Sequence, residues 1–185
     1  MIIRMTTKEL FAESLKELAV SKNISKITVK EISANCGFTS KTFYNHFQDK
    51  YALIEWIYST AAEKIFNKMD GENYTWNNTL TDGLNYFLEN KKFLRNLVMN
   101  TGGQDSFVNY LANFSVKIFS DYIKRTQNLK ELSPELEIFI KIYCYGIVCT
   151  LCEILIAPLP LPAEEFVKLL EKSLPAPLKK FFYKN

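Results

Sequence analysis

A chain of 185 residues, nearly half apolar and with fourteen Phe, holds enough material for one medium domain or for a small head on a larger body. A net charge of only +3 excludes an indiscriminate nucleic-acid coat, and the opening MIIRMTTKEL lacks the apolar stretch of an export signal. The longest uncharged run in the hydrophobic region, eleven residues between Lys141 and Glu153, is too short to span a bilayer, so no membrane partner is expected. Four cysteines without an export signal read as reduced thiols in the cytoplasm. The charge is unevenly placed. Residues 1–50 carry eight Lys/Arg and five Asp/Glu, and the remaining 135 residues carry fifteen of each.

The first helix is predicted from Thr6 or Thr7, where Thr6 and Glu9 have capping-box spacing. Leu10, Phe11, Ser14, Leu15, Leu18 and Ala19 share its buried face, and it ends near Lys22-Asn23, where Asn tolerates a left-handed backbone. A second capping box at Thr28 and Glu31 opens a helix that stops at Cys36, and Gly37 supplies a turn. Thr39 or Ser40 then caps a third helix running to about Phe47. Asp49 caps a fourth, from Lys50 to about Met69, with Leu53, Trp56, Ile57, Ala61 and Ile65 at helical spacing. Asp70-Gly71 stops it.

Further helices are predicted over Thr79–Glu89, Lys91–Asn100, Asp105–Gln127, Ser133–Ile156 and Ala163–Leu174. Gly102-Gly103, Asn128–Leu132 and the Pro-rich stretch at 157–162 break them. The basic, aromatic tail at 179–184 reads as a docked or frayed terminus. No alternating strand pattern or internal repeat occurs, so the expected fold class is all-α. The expected division is a three-helix helix-turn-helix unit at 1–50 and a larger helical bundle at 51–185.

Two short helices around Gly37 are what a helix-turn-helix requires. Ile32, Phe38, Phe43 and Phe47 lock them against the first and fourth helices. Ser40, Lys41, Thr42, Tyr44, Asn45 and His46 then face outward. In the major groove Lys41 suits guanine O6/N7, and the Thr42 methyl suits a thymine methyl. Tyr44, His46, Lys50 and the Thr28 hydroxyl are donors placed for phosphates. The bland alternative is a packing motif with His46, the single histidine, as an ordinary surface residue.

The run GFTSKTFYNHFQDK from Gly37 to Lys50 resembles the signature of the TetR family of bacterial transcriptional regulators, with Phe38 where a smaller aliphatic is usual. The resemblance implies phosphate contacts from Thr28, Tyr44, His46 and Lys50, and base-facing positions at Lys30, Ser40, Lys41 and Thr42. Its implied partner is double-stranded operator DNA, bound by a homodimer. Trp76, the Tyr143–Gly146 stretch and the closing helix are similar to the dihydroxyacetone-kinase-operon subgroup. That similarity implies control through a kinase-subunit-like protein partner rather than a small molecule, with either sign of regulation.

The helix at 133–156 is apolar on nearly every side and needs cover all round, which a symmetry mate supplies. Tyr86, Phe87, Phe93, Tyr110, Phe114, Phe119 and Tyr122 are candidates for lining a small-molecule pocket, or for plain core. Cys144, Cys149 and Cys152 share a helix, but no histidine or second cysteine cluster lies near them, so no metal or cofactor is expected. With its one histidine on the candidate DNA helix, the chain is expected to be no enzyme. The alternatives are a helical protein-interaction module or a thiol-based redox sensor that does not bind DNA, or an enzyme using the cysteine cluster.

Overall fold

Threonine opens three helices by one device. At Thr6, Thr28 and Thr75 the hydroxyl accepts the backbone N–H three residues on, and the side chain there (Glu9, Glu31 or Asn78) accepts the threonine N–H in return. The computed structural model describes residues 5–102, 106–159 and 161–183, and every regular element among them is helical. In order these are α1 (Thr7–Ser21), α2 (Val29–Asn35), α3 (Ser40–Tyr44), α4 (Lys50–Asn67), α5 (Trp76–Glu89), α6 (Lys91–Asn100), α7 (Phe107–Thr126), α8 (Pro134–Ile156), α9 (Ala163–Lys172) and α10 (Ala176–Phe182). Short 3₁₀ turns lie at Ile24–Lys26 and Lys68–Asp70.

The N-terminal helices close on aromatic rings. Phe11, fully buried on α1, meets Phe43 edge-on at 5.1 Å and Phe38 at 5.4 Å. Burying one such side chain contributes about 1.5–3 kcal/mol. The buried Ser14 hydroxyl donates to the Ile32 carbonyl at 2.7 Å and ties α1 to α2. Gly37 turns the chain at φ +77°, a conformation that favours glycine, and the next N–H, of Phe38, donates back to Ser33 O at 2.8 Å. Helix α4 begins in this head and continues into the body, packing on α1, α5 and α7.

In the body α7 runs along α8, and α5 packs on α9. Trp76 sits at the centre, edge-on to Phe119 at 5.1 Å and 4.7 Å from Phe182 of α10. The tail is therefore docked by a helix of its own. Helix α5 starts three residues earlier than the sequence suggests, because Asn78 completes a capping box usually closed by Glu or Gln. Asp105, where the helix after α6 is expected to start, lies outside the described residues, and Ser106 caps α7.

Two local expectations are corrected. Helix α3 ends at Tyr44 rather than near Phe47, since the His46 N–H closes a tighter bond to Phe43 O at 2.9 Å. Asn23 is extended (φ −61°) rather than left-handed, and its side chain caps the 3₁₀ turn through the Ser25 N–H.

Helix α8, 23 residues long, is long and apolar enough to cross a membrane by length and composition alone. Its packing is that of a core helix. Ile140, Tyr143, Cys144, Val148, Leu151 and Leu155 are buried, and Glu135, Glu137, Lys141 and Glu153 interrupt the rest of its surface. One apolar stripe stays open: Ile138 is 59 % exposed and Ile142 64 %.

Candidate nucleic-acid interface

Helix α3 separates its faces sharply. Phe43 is fully buried behind it and Phe47 nearly so, with Phe47 also meeting Trp56 of α4 at 5.8 Å. On the other side Lys41, Tyr44, Asn45 and His46 are exposed, and Ser40 and Thr42 are half-buried at its first turn. Tyr44 is 58 % exposed although its ring stands edge-on to Phe43, so the phenol reaches outward from a ring held at its base. Lys30 is exposed on α2. Ser40, Lys41 and Thr42 thus lie together at the N-terminal end of α3, the part of a recognition helix that meets base edges.

Thr28 and Thr42 are less free than the sequence suggests. The Thr28 hydroxyl donates to Glu31 Oε2 at 2.9 Å and accepts the Glu31 N–H, so its proton is committed to the cap. Thr42 Oγ1 lies 3.1 Å from Thr39 Oγ1, the N-cap of α3.

Lys50 differs most from expectation. Its ammonium donates to the carbonyls of Ile24 (2.8 Å), Ser25 (2.9 Å) and Ile27 (2.8 Å), which employs all three of its protons. Partial burial lowers its pKa from the ordinary value, against the raising effect of Asp49 and Glu31. The carbonyl oxygens favour the charged form. A phosphate contact would require Lys50 to leave this cradle. It is a clamp closing the 3₁₀ turn onto the start of α4.

Glu31 anchors the neighbouring cap. Hydrogen bonding from the Lys22 ammonium, then from the Thr28 N–H and hydroxyl, holds its carboxyl at about 2, against an ordinary 4.5. A depressed carboxylate contributes stability that is complete above its unfolded-state pKa and is lost as pH falls through the folded value. Thermal unfolding of the wild type should therefore lose its advantage over Glu31→Gln between about pH 4.5 and pH 2. Parallel pH profiles of the two proteins would show that the cap does not carry this effect.

The body holds a small cavity of about 100 Å³ between α4, α5, α7 and α8. Tyr58, Phe66, Trp76, Tyr86, Phe119 and Tyr143 contribute to its wall. Of the aromatic residues singled out from sequence, Tyr86, Phe87 and Phe119 line it, whereas Phe93, Tyr110, Phe114 and Tyr122 do not. Tyr86 Oη is buried without a hydrogen-bond partner among the described residues, and burial pushes the phenol well above its ordinary value. Ligand pockets for drug-sized molecules run about 300–1,000 Å³, so this one suits a much smaller guest.

The cysteines divide. Cys144 and Cys152 are buried and Cys149 is exposed, and burial raises Cys144 strongly and Cys152 to about 12. Thiols so raised are poor nucleophiles, which weighs against a thiol sensor built on them. Among the described residues no three His, Cys, Asp or Glu side chains gather as metal ligands.

A short reading helix with a polar outer face, backed by aromatic rings and joined to a helical body, defines the class: a helix-turn-helix transcriptional regulator. Residues 13–57 match the family described as bacterial regulatory proteins, tetR family, and residues 74–175 match a transcriptional regulator C-terminal region. The second match spans more than half of the chain, and the chain belongs to the TetR family. It is 27 % identical over 121 residues to the HTH-type dhaKLM operon transcriptional activator DhaS of Lactococcus lactis subsp. lactis (strain IL1403), a stretch covering 65 % of this chain and 64 % of that protein, just under two thirds of its length.

Solved structures share the fold. The dihydroxyacetone kinase operon activator DhaS aligns with a TM-score of 0.64 at 22 % identity, over 97 % of this chain and all of that one. The fatty acid degradation regulator FadR from Bacillus halodurans aligns with a TM-score of 0.61 at 10 % identity, over 93 % and 96 %.

Proposed function

We propose that this chain is a cytoplasmic, non-enzymatic regulator that binds a pseudo-palindromic operator as a homodimer, with residues 1–50 as the reading head and 51–185 as the dimerising, input-sensing body. The observation that carries the DNA reading is the two-sided α3, with Phe43 and Phe47 inside and Lys41, Tyr44 and His46 outside. Lys30, Ser40, Lys41 and Thr42 face bases in this reading, and Tyr44 and His46 position the head on phosphates, with the α2 start at Thr28 beside them. Lys50 supports the head from behind.

The homodimer rests on the open stripe of α8. Ile138, Ile142, Cys149 and Ile156 recur at spacings of four, seven and seven, and Leu169 of α9, 50 % exposed, offers a further apolar residue. A stripe of that kind is what two helices bury against each other.

For the input, the similarity to the dhaKLM activator supports a protein partner related to a kinase subunit. A small ligand remains the second reading, favoured by the buried Tyr86 hydroxyl, which has no partner among the described residues. Release of operator DNA by a small molecule alone would decide for the ligand. Co-purification of a protein that alters DNA binding would decide for the partner.

Selection of genomic fragments by the purified protein tests the main reading. A two-half-site consensus should emerge. Lys41→Ala should cost about 1–3 kcal/mol on that site and relax the preference at one position. Tyr44→Phe should weaken selected and unrelated DNA alike, by about 0.5–1.5 kcal/mol. Unchanged binding in both variants would remove α3 from the interface.

A further inference from the structure

We propose that Asn96, a residue of the body, is a positioning residue for DNA recognition: its carboxamide sets the tilt of the reading head through the 3₁₀ turn Ile24–Lys26. The inference rests on the dimeric, two-headed reading above.

The carboxamide is fully used. Asn96 Nδ2 donates to the carbonyls of Ala19 and Lys22, both at 2.8 Å, where α1 ends. A helix end leaves such carbonyls without helical partners. Asn96 Oδ1 accepts the Ile24 N–H at 3.0 Å and the Asn100 side-chain amide at 2.9 Å. Asn100 in turn accepts from the Asn23 side chain. Two donors and two acceptors are all that a carboxamide offers in the usual count, and here every one is engaged by named groups.

Ile24 joins the two sides. Its N–H goes to Asn96 of the body and its carbonyl to Lys50 of α4, while its side chain is fully buried. The chain then passes into the Thr28–Glu31 cap of α2, which Lys22 also holds through Glu31 at 2.5 Å. Every approach to the helix-turn-helix is therefore tied either to α6 or to the start of α4. Phe11, Leu15, Ile32 and Phe43 of α1, α2 and α3 hold the head together, while α1 also packs on α4 and α6. Loss of the clasp should loosen the orientation of the head, which packing on α4 and α6 then holds less closely, and leave its fold intact.

Orientation matters only when two heads must land together. Half-sites lie one helical turn or a multiple of it apart, so a tilt at each pivot changes the separation that the dimer prefers. The experiment uses full-length wild type, Asn96→Ala, Asn96→Asp and Asn100→Ala. The DNA probes carry the consensus selected by the wild type, as a single half-site and as paired half-sites with spacers varied in single base pairs. Asn96→Ala should bind the single half-site like the wild type and lose about tenfold on the optimal pair, a fraction of the gain from linking two sites. Its spacing preference should broaden.

Asn96→Asp keeps an acceptor for Ile24 but turns a carboxylate toward two carbonyls, so it should lose more than Asn96→Ala. Asn100→Ala should lose less. A wild-type spacing preference retained by both Asn96 variants would overturn the role of Asn96 alone. Half-site binding lost along with paired binding would place Asn96 in folding of the head and also overturn it. A wild type indifferent to spacing would overturn the two-headed reading, and this inference with it.

Discussion

Ile142→Glu is expected to turn the protein into a monomer and to lower its affinity for a paired operator at least about 100-fold, the low end of what linking two binding units supplies. Ile142 is 64 % exposed on a single chain, so the glutamate should cost the fold itself almost nothing. In a two-fold contact the same surface meets its own copy, and residues near the axis meet themselves. Two carboxylates would then lose water without gaining a partner, which is strongly unfavourable. Sedimentation should show the halved mass, far-UV circular dichroism should stay unchanged, and binding to a single half-site should persist. A dimer of undiminished affinity would mean that the α8 stripe has some other cover.

The head was legible because its signals are local. The Thr6–Glu9 and Thr28–Glu31 boxes, Gly37 and the Asp49 cap each act within four residues, and each appears in place. The outer face of α3 followed from helical spacing once Phe43 and Phe47 were assigned inward. The limits were geometric. Where α3 ends depends on whether the His46 N–H bonds three or four residues back, a difference that side-chain identity does not encode.

In the body, periodicity identified helices but not their neighbours. Helix α8 is apolar all round, so sequence could say that it needs cover without saying which face the core takes. Aromatic spacing likewise did not sort pocket from packing: Tyr86, Phe87 and Phe119 line the cavity between α4, α5, α7 and α8, and Tyr110 turns its hydroxyl to the Glu55 carbonyl. Trp76 lies ahead of the helix start expected at Thr79 because the cap that starts α5 uses Asn78. Helix α10 follows Pro175 and carries Pro177 in its first turn, a position that costs no hydrogen bond but resembles a loop when read alone.

Lys50 was the residue least open to sequence reading, because its partners are backbone carbonyls 23 to 26 residues earlier and carry no side-chain signature. Lys50→Met separates its two possible roles by thermodynamics. As a clamp it holds three carbonyls, and hydrogen bonds to charged groups contribute about 1.5–3 kcal/mol each before partial exposure discounts them. Removing it should cost about 2–4 kcal/mol in all, a fall in Tm of about 5–15 °C for a chain of this size. The salt dependence of binding to the selected operator should keep its slope, because no phosphate contact has been lost. As a phosphate ligand Lys50 would give the reverse pattern, with Tm preserved and the slope of log K against log salt reduced by about 0.9 for each head, about 1.8 for the dimer. The three short carbonyl contacts favour the first outcome, since all three protons of the ammonium are placed and its departure would strip three backbone carbonyls of their partner.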